Sequence, residues 1–308
     1  MLDIDEQTNT DLYYDVEKCV EFCKSIKNTT HKEFTNYHMF WNVGLQFGRK
    51  QLLPIKSYIS TQNLKNTSLN IWSNVDLIEN KFLKPFLPYI NFRIWNPIEE
   101  AKGTILENRI DLLSPNDQLN WCAGDLFRIL VLHKYGGLYV DFDVVFLRDF
   151  APLLNQEFMY KWSFQKEMIN GAVMRMYKGS KLSTDLLNEI SSGSAIPGTT
   201  NWSTDLYQKV RKYNTNWTIF PCGFFNTEWQ IKFSTEEKEN PSNFEFMDFI
   251  RFPFKKTNIS NTLYDGVFSW HWHNNWNVEI EEGSKWQILE SKFDQIIKNN
   301  FGINNDYE

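Results

Sequence analysis

The sequence predicts an α/β fold with an open, mostly parallel central sheet, and three observations lead to this prediction. Short segments of strand character alternate with stretches of helical periodicity in the first hundred residues. A buried helix, a glycine break and a buried strand follow one another in the middle of the chain. Polar residues follow the predicted strands, and open α/β sheets bind their ligands beyond the carboxyl ends of the strands.

The first hundred residues supply three strands in order. Residues 11–27 carry apolar side chains at helical spacing, so we expect a helix there that packs outside the core fold. Residues 37–41 form the first predicted strand, and residues 54–63 form the helix that follows it. Residues 68–74 and 92–95 form the second and third strands. This alternation is typical of a sheet whose strands are connected by helices.

The segment from residue 125 to residue 146 is the most informative part of the chain. Residues 126–132 are apolar on most sides of a helix, which indicates a buried helix. Gly136 and Gly137 end it, because glycine adopts the positive φ that helix C-termini often require. Residues 138–146 are rich in β-branched and aromatic side chains, so we expect one strand that continues past two carboxylates.

Asp141 and Asp143 lie two residues apart in this predicted strand, and therefore on the same side of it. Two like charges inside an apolar segment repel each other unless a cation lies between them. Oxygen ligands favour a hard divalent ion, so the pair predicts a Mn²⁺ or Mg²⁺ site. An isolated Asp-x-Asp pair is also common in solvated turns, so the flanking residues give the motif its specificity.

The flanking residues complete a longer motif. It reads Asp125-x-x-Arg128 on the helix, then Gly136-Gly137-x-Tyr139-x-Asp141-x-Asp143. This pattern resembles the Asp-x-Asp sugar-binding glycosyltransferases, which include α-1,4-galactosyl- and α-1,6-mannosyltransferases and clostridial glucosylating toxins. The best match covers residues 115–150. The resemblance implies a GT-A type, Rossmann-like domain over residues 34–280, with a helical extension at residues 1–33 and a C-terminal helix at residues 281–308.

The resemblance also implies a function. The chain would be a hexosyltransferase that moves a sugar from a nucleoside-diphosphate sugar to a glycan or other hydroxyl acceptor, with retention of anomeric configuration. Asp143 would ligate the metal, and Asp141 would contact both the metal and donor hydroxyl groups. Asp125, Arg128 and Tyr139 match positions that contact the donor, and the first two complete the predicted catalytic set with the two aspartates. For Asp125 and Arg128, which share one helical face, a core salt bridge is the alternative.

Residues outside the motif complete the predicted site. Trp41 matches a position that stacks on the nucleobase, and its context favours a UDP donor; an ordinary core tryptophan is the alternative. Asn170 is expected to face the donor, and Trp272 to cover it unless it packs in the core. The His271-x-x-Asn stretch resembles a late family motif that completes the metal shell, and His273 lies on the same face. Alternatively, both histidines pack against aromatic residues at the surface.

Composition and charge narrow the partners. The net charge of −6 argues against nucleic-acid binding, which requires an excess of Lys and Arg. The four cysteines show no spacing of a metal site or disulfide framework. No apolar run approaches the length of a transmembrane helix, and the first thirty residues are too polar for a signal peptide. We therefore expect a cytoplasmic or cytosol-like compartment, unless the chain has been trimmed of an anchor.

Two other functions share features of the motif. Phosphatases of the haloacid-dehalogenase type also end a strand in Asp-x-Asp with a divalent metal, but their motif lies near the N-terminus and precedes a lysine and a second acidic pair. A non-catalytic carbohydrate-binding protein on a transferase fold is the other alternative. The intact acids and the histidine-rich late segment count against it.

Overall fold

The structure is a computed structural model that describes residues 2, 4, 8–42, 46–114, 121–162, 168–194, 196, 199–227, 254, 256 and 265–304. Its α-helices are α1 (Thr10–Tyr14), α2 (Val16–Ser25), α3 (Arg49–Thr61), α4 (Pro97–Ala101), α5 (Ile110–Leu113), α6 (Trp121–Tyr135), α7 (Lys181–Ser192), α8 (Thr204–Arg211) and α9 (Lys285–Phe301). Its strands are β1 (Thr35–Trp41), β2 (Thr67–Ser73), β3 (Asn91–Ile94), β4 (Gly137–Val140), β5 (Val144–Phe146), β6 (Phe158–Lys161), β7 (Ile169–Met176), β8 (Thr218–Phe220) and β9 (Ser269–His271).

A seven-stranded sheet forms the centre of the fold, with the strand order β3-β2-β1-β4-β7-β6-β8. The first four strands in this order are parallel neighbours, and β8 is parallel to β6. Strand β7 is antiparallel to both β4 and β6. The predicted α/β fold with a mostly parallel central sheet is therefore confirmed. The order 3-2-1-4 of its first four strands is that of a Rossmann-like half-sheet.

Helix α6 and strand β4 are joined by the two predicted glycines. The apolar residues of α6, from Leu126 to Leu132, are buried, as the sequence predicts. Gly136 and Gly137 have φ angles of 66° and 114°. A Cβ atom at Gly137 would lie 2.0 Å from the carbonyl oxygen of Asn36 in β1. Glycine is therefore required at position 137 both for its backbone conformation and for the close approach of the two strands.

The predicted continuous strand from residue 138 to residue 146 is wrong. Strand β4 ends at Val140, and the backbone N–H of Val144 donates to the Asp141 carbonyl at 3.1 Å, which closes a tight turn. Strand β5 then leaves the central sheet and pairs antiparallel with β9. The physical reason is that the two carboxylates lie at the end of the buried ladder, where a turn brings their oxygens close to each other and to His271.

The first three helices differ from the prediction in three details. Residues 11–27 form two helices, because the Asp15 side chain accepts hydrogen bonds from two backbone N–H groups and begins α2 there. Leu12, Cys19 and Cys23 belong to the same apolar core as β1 and β4, so these helices pack into the fold. Helix α3 begins five residues before the predicted start, and Pro54 lies inside it.

The C-terminal helix α9 packs along α3. The Lys56 side chain is fully buried, and its Nζ atom lies 2.6 Å from Asp294 Oδ1 and 3.7 Å from Glu290 Oε1. Arg49 also donates to Glu290, with Nε at 2.9 Å from Oε1. Three ionic contacts thus join the two helices. Of the helices in the described residues, none has both the length and the apolarity needed to cross a membrane.

Candidate metal and donor site

Asp141 and Asp143 lie on the tight turn at the carboxyl end of β4. The pairing of β5 with β9 places His271 opposite Val144, which directly follows Asp143 in the chain. As a result, Nε2 of His271 lies 3.2 Å from Oδ2 of Asp143. Ligand atoms of Asp141, Asp143 and His271 all lie within 4.8 Å of one another. The structure therefore brings together, from two distant segments, three side chains that could hold one ion.

The charges of this group are interdependent. Burial favours the neutral form of Asp143, but His271, His273 and the Asn274 N–H outweigh it and lower the pKa of Asp143. Burial lowers the pKa of His271, but the Asp143 carboxylate outweighs burial and raises it. Burial raises the pKa of Asp141, and the nearby Asp143 adds to this effect while Arg128 opposes it. The positive charges of Arg128 and His271 therefore favour the ionised forms of both carboxylates.

The side chains that could ligate an ion fit a divalent cation. Two carboxylates and one imidazole are ligands that Mn²⁺ accepts, and Mg²⁺ accepts the carboxylates. The Tyr160 hydroxyl lies 3.1 Å from Nδ1 of His271, so that Nε2 faces the carboxylates. Such a partner fixes the ring orientation of a ligating histidine. Tyr160 is fully buried in β6, and the sequence motif contains no signal that would have identified it.

The late segment, which we define as residues 271–278, wraps around Asp143. The backbone N–H of Trp272 donates to the Asp143 carbonyl at 3.0 Å, and that of Asn274 donates to Asp143 Oδ2 at 2.6 Å. His273 and Asn274 both have positive φ angles, 53° and 54°, which non-glycine residues rarely adopt. Such conformations cost about 1–3 kcal/mol each and persist where surrounding contacts impose them. Strain of this kind often accompanies functional sites.

Arg128 lies beside the carboxylates on the α6 side of the site. Its Nη2 atom lies 3.2 Å from Asp125 Oδ1 and 3.6 Å from Asp141 Oδ1. The guanidinium lies over the Tyr139 ring at 5.0 Å, and the Tyr139 hydroxyl donates to Asp141 Oδ1. The alternative salt bridge between Asp125 and Arg128 is thus present. Because Arg128 also reaches Asp141, the pair is part of the site as well as of the core.

Tyr207 and Gly171 are site residues that the sequence did not reveal. Tyr207, in α8, is fully buried, and its hydroxyl faces the Arg128 guanidinium. A Cβ atom at Gly171 would lie 2.6 Å from this hydroxyl and 2.9 Å from Nη1 of Arg128. The missing side chain at Gly171 therefore makes room for both groups. Asn170, one residue earlier, is half-buried, and its Oδ1 accepts from the Ala172 N–H at 2.7 Å.

The predicted tryptophans lie in an aromatic cluster next to the turn. Trp41 is 7% exposed and packs edge-to-face against Phe142 and Trp276, with ring centroids 5.6 and 4.8 Å away. Trp272 is 1% exposed and packs against Phe254 and Trp276. Both side chains occupy the core positions that were the alternative to donor contact. The structure thus places Trp41 against Phe142, the residue between the two aspartates, and Trp272 directly after His271, but both lie within packed aromatic surroundings.

His273 differs from His271 in its contacts. Its ring stacks on the His271 ring at 4.0 Å between centroids, but its Nε2 lies 2.8 Å from Nδ2 of Asn226. Because an amide nitrogen is a donor, this Nε2 accepts the hydrogen bond and is turned away from a ligating role. Burial, followed by the charge of His271, lowers the pKa of His273 well below its usual value. Of the two histidines, His271 is therefore the one that could hold an ion together with the aspartates.

A sequence profile confirms the predicted resemblance for this part of the chain. Residues 95–160 match the family described as the glycosyltransferase sugar-binding region containing the DXD motif. The matched residues include α6, β4 and the two aspartates of the turn, so the motif and the site geometry coincide. A search of curated proteins found no match.

Solved structures of glycosyltransferases also align with the chain. PaToxG glycosyltransferase aligns at 14% identity and a TM-score of 0.44, over 66% of this chain and 77% of that chain. Apo GlyE of Streptococcus pneumoniae TIGR4 aligns at 9% identity and 0.49, over 88% and 64%. An active-site mutant of LgtC aligns at 12% identity and 0.47, over 83% and 95%. Identities and TM-scores this low add nothing to the argument about function.

Proposed function

We propose that the chain is a metal-dependent glycosyltransferase that transfers a sugar from a UDP-sugar to a glycan or other hydroxyl acceptor, with retention of anomeric configuration. The observation that supports this proposal most is the group formed by Asp141, Asp143 and His271, whose two aspartates lie in the stretch that matches a sugar-binding region of glycosyltransferases. The catalytic domain spans residues 34–280 in this proposal. Helices before and after it pack against the same core.

Three side chains hold the ion in this proposal. Asp143 and His271 ligate it, and Asp141 ligates it directly or through water. When bound, Mn²⁺ or Mg²⁺ neutralises the negative charge that develops on the departing diphosphate. The Asn274 N–H and Tyr160 orient the Asp143 carboxylate and the His271 ring, respectively.

Arg128, Asp125 and Tyr139 bind the donor sugar in this proposal. Asp125 pairs with the Arg128 guanidinium, which also packs on the face of the Tyr139 ring. The Tyr139 hydroxyl orients Asp141. A guanidinium fixed on three sides can present its remaining N–H groups to sugar hydroxyls or phosphate oxygens. Asn170 faces the donor in this proposal, whereas Trp41 and Trp272 support the site from within the aromatic cluster. The acceptor hydroxyl attacks the anomeric carbon from the face that the diphosphate leaves, which retains the anomeric configuration. The bond from this carbon to the diphosphate breaks as the new bond forms, and the departing diphosphate takes up the hydroxyl proton.

The test is donor hydrolysis by the full chain. The protein is incubated with a panel of UDP- and GDP-sugars, with Mn²⁺, with Mg²⁺ and with EDTA, and released nucleotide and free sugar are quantified. We expect slow release with one UDP-sugar and Mn²⁺, and none with EDTA. The control variant is Asp111→Asn, which should hydrolyse the donor like the wild type, because Asp111 is an exposed residue that pairs with Arg109.

Each alternative function has its own signature in this experiment. Selective binding of a nucleotide-sugar without turnover would identify a carbohydrate-binding protein. Phosphate released from simple monoesters, with nucleotide-sugars left intact, would identify a phosphatase. None of the contacts described above favours either alternative.

A further inference from the structure

Lys50, near the start of α3, binds the carbonyl groups of the late segment. Its Nζ donates to the Asn275 carbonyl at 2.7 Å, to the Trp276 carbonyl at 2.9 Å, and to the Val278 carbonyl. The ammonium group also lies 4.6 Å from the centroid of the Phe254 ring. A lysine ammonium has three N–H donors, and these three carbonyl oxygens use all of them.

The late segment depends on such a partner. After His271 it has no regular secondary structure, so its carbonyl groups have no ladder or helix to accept from. Directly before the lysine-bound carbonyls lies Asn274, whose N–H donates to Asp143 and whose Oδ1 accepts from Trp276 Nε1 at 2.9 Å. The three carbonyls are therefore linked to the metal site through one residue with a positive φ angle.

We propose that Lys50 is a positioning residue, which fixes the late segment so that His271 and the Asn274 N–H keep their contacts with Asp143. Its position, at the start of the helix that follows β1, lies next to the carboxyl end of the parallel sheet. Instead of presenting its charge to a ligand, it holds the segment that contributes a ligand from the other end of the chain. The expected effect of Lys50 on metal affinity rests on the proposed function, whereas its expected effect on the position of the late segment does not.

Lys56 provides a matched control on the same helix. It is also a buried lysine of α3, but it pairs with Asp294 and Glu290 of α9 and not with the late segment. Loss of Lys56 therefore weakens the fold without removing a contact from the carbonyls of residues 275–278. A comparison of Lys50→Met with Lys56→Met separates positioning from general stability.

The first experiment measures amide hydrogen exchange in the full chain without metal. Lys50→Met should accelerate exchange at the amides of Trp272 and Asn274, which donate to Asp143, by about tenfold or more relative to amides of β1 and β2. Lys56→Met should accelerate all of these amides together. If Lys50→Met does not fold, Lys50→Arg is measured instead, because it keeps the charge but not the three-way geometry. The proposal would be overturned if Lys50→Met left exchange at Trp272 and Asn274 unchanged, or accelerated it no more than exchange in β1 and β2.

The second experiment measures Mn²⁺ affinity by electron paramagnetic resonance. Lys50→Met should weaken binding about tenfold or more, whereas Lys56→Met should leave it nearly unchanged. In a His271→Ala background the effect of Lys50→Met should become smaller, because Lys50 then acts only through the Asn274 N–H. Wild-type protein that binds no Mn²⁺ would contradict the proposed function alone. The exchange experiment would still decide the role of Lys50.

Discussion

At the residue scale, the two acids Asp143 and Asp125 should differ in how their loss acts. Asp143 contacts His271 and accepts from Asn274, so Asp143→Ala should abolish metal-dependent turnover, because the diphosphate charge is then poorly neutralised. Asp125 contacts Arg128, so Asp125→Asn should raise the KM for the donor while leaving Mn²⁺ affinity within about twofold. Donor hydrolysis and metal titration measure the two effects. Near-native activity of Asp143→Ala with Mn²⁺ would show that the metal assignment is wrong.

Also at the residue scale, Gly171 should be essential for its small size. A methyl group there would lie within 3 Å of both the Tyr207 hydroxyl and Arg128 Nη1. Gly171→Ala should therefore displace Arg128 and reduce kcat/KM about tenfold or more. Gly124→Ala in α6 is the control, because a Cβ atom there meets nothing within 4 Å and alanine favours the helix. Equal activities of the two variants would exclude Gly171 from the site.

At the element scale, the pairing of β5 with β9 determines which histidine lies next to the aspartates. The register places His271 opposite Val144 and turns its Nε2 towards Asp143, whereas His273 accepts from Asn226. His271→Ala should therefore weaken Mn²⁺ binding about tenfold or more, and His273→Ala should have a much smaller effect. Isothermal titration with Mn²⁺ measures both. Equal, negligible losses would remove the late segment from the metal site.

The same elements explain which parts of the site the sequence could predict. Asp125, Arg128, Asp141 and Asp143 belong to one local pattern of helix, glycines and strand, and such patterns are readable from spacing. Tyr160, Tyr207 and Lys50 reach the site from β6, α8 and α3, and no local signal distinguishes them from core residues. The turn after Val140 was missed because β-branched residues on both sides of the acids predict a continuous strand. Site residues that depend on contacts between distant segments can be identified only from the folded structure.

At the scale of the whole molecule, the ionic contacts between α3 and α9 stabilise the fold but lie outside the site. Lys56 is fully buried, and its loss would leave Asp294 without this partner and Glu290 with Arg49. Breaking a buried ion pair by removing one partner costs about 3–5 kcal/mol, but Asp294 is partly exposed and Glu290 keeps Arg49, so Lys56→Met should lower the free energy of unfolding by less than this amount.

Urea denaturation followed by tryptophan fluorescence measures this loss, and the exposed pair of Lys102 and Glu99 provides the control. Lys102→Met should leave the urea midpoint unchanged within error, because surface ion pairs contribute little. Lys56→Met should lower the midpoint while the Mn²⁺ affinity of the remaining folded protein stays close to that of the wild type. A parallel loss of metal affinity would mean that α9 supports the site, and that stability and metal binding cannot be separated along α3. Unchanged stability would instead mean that the apolar contacts of α9 suffice to hold it on α3.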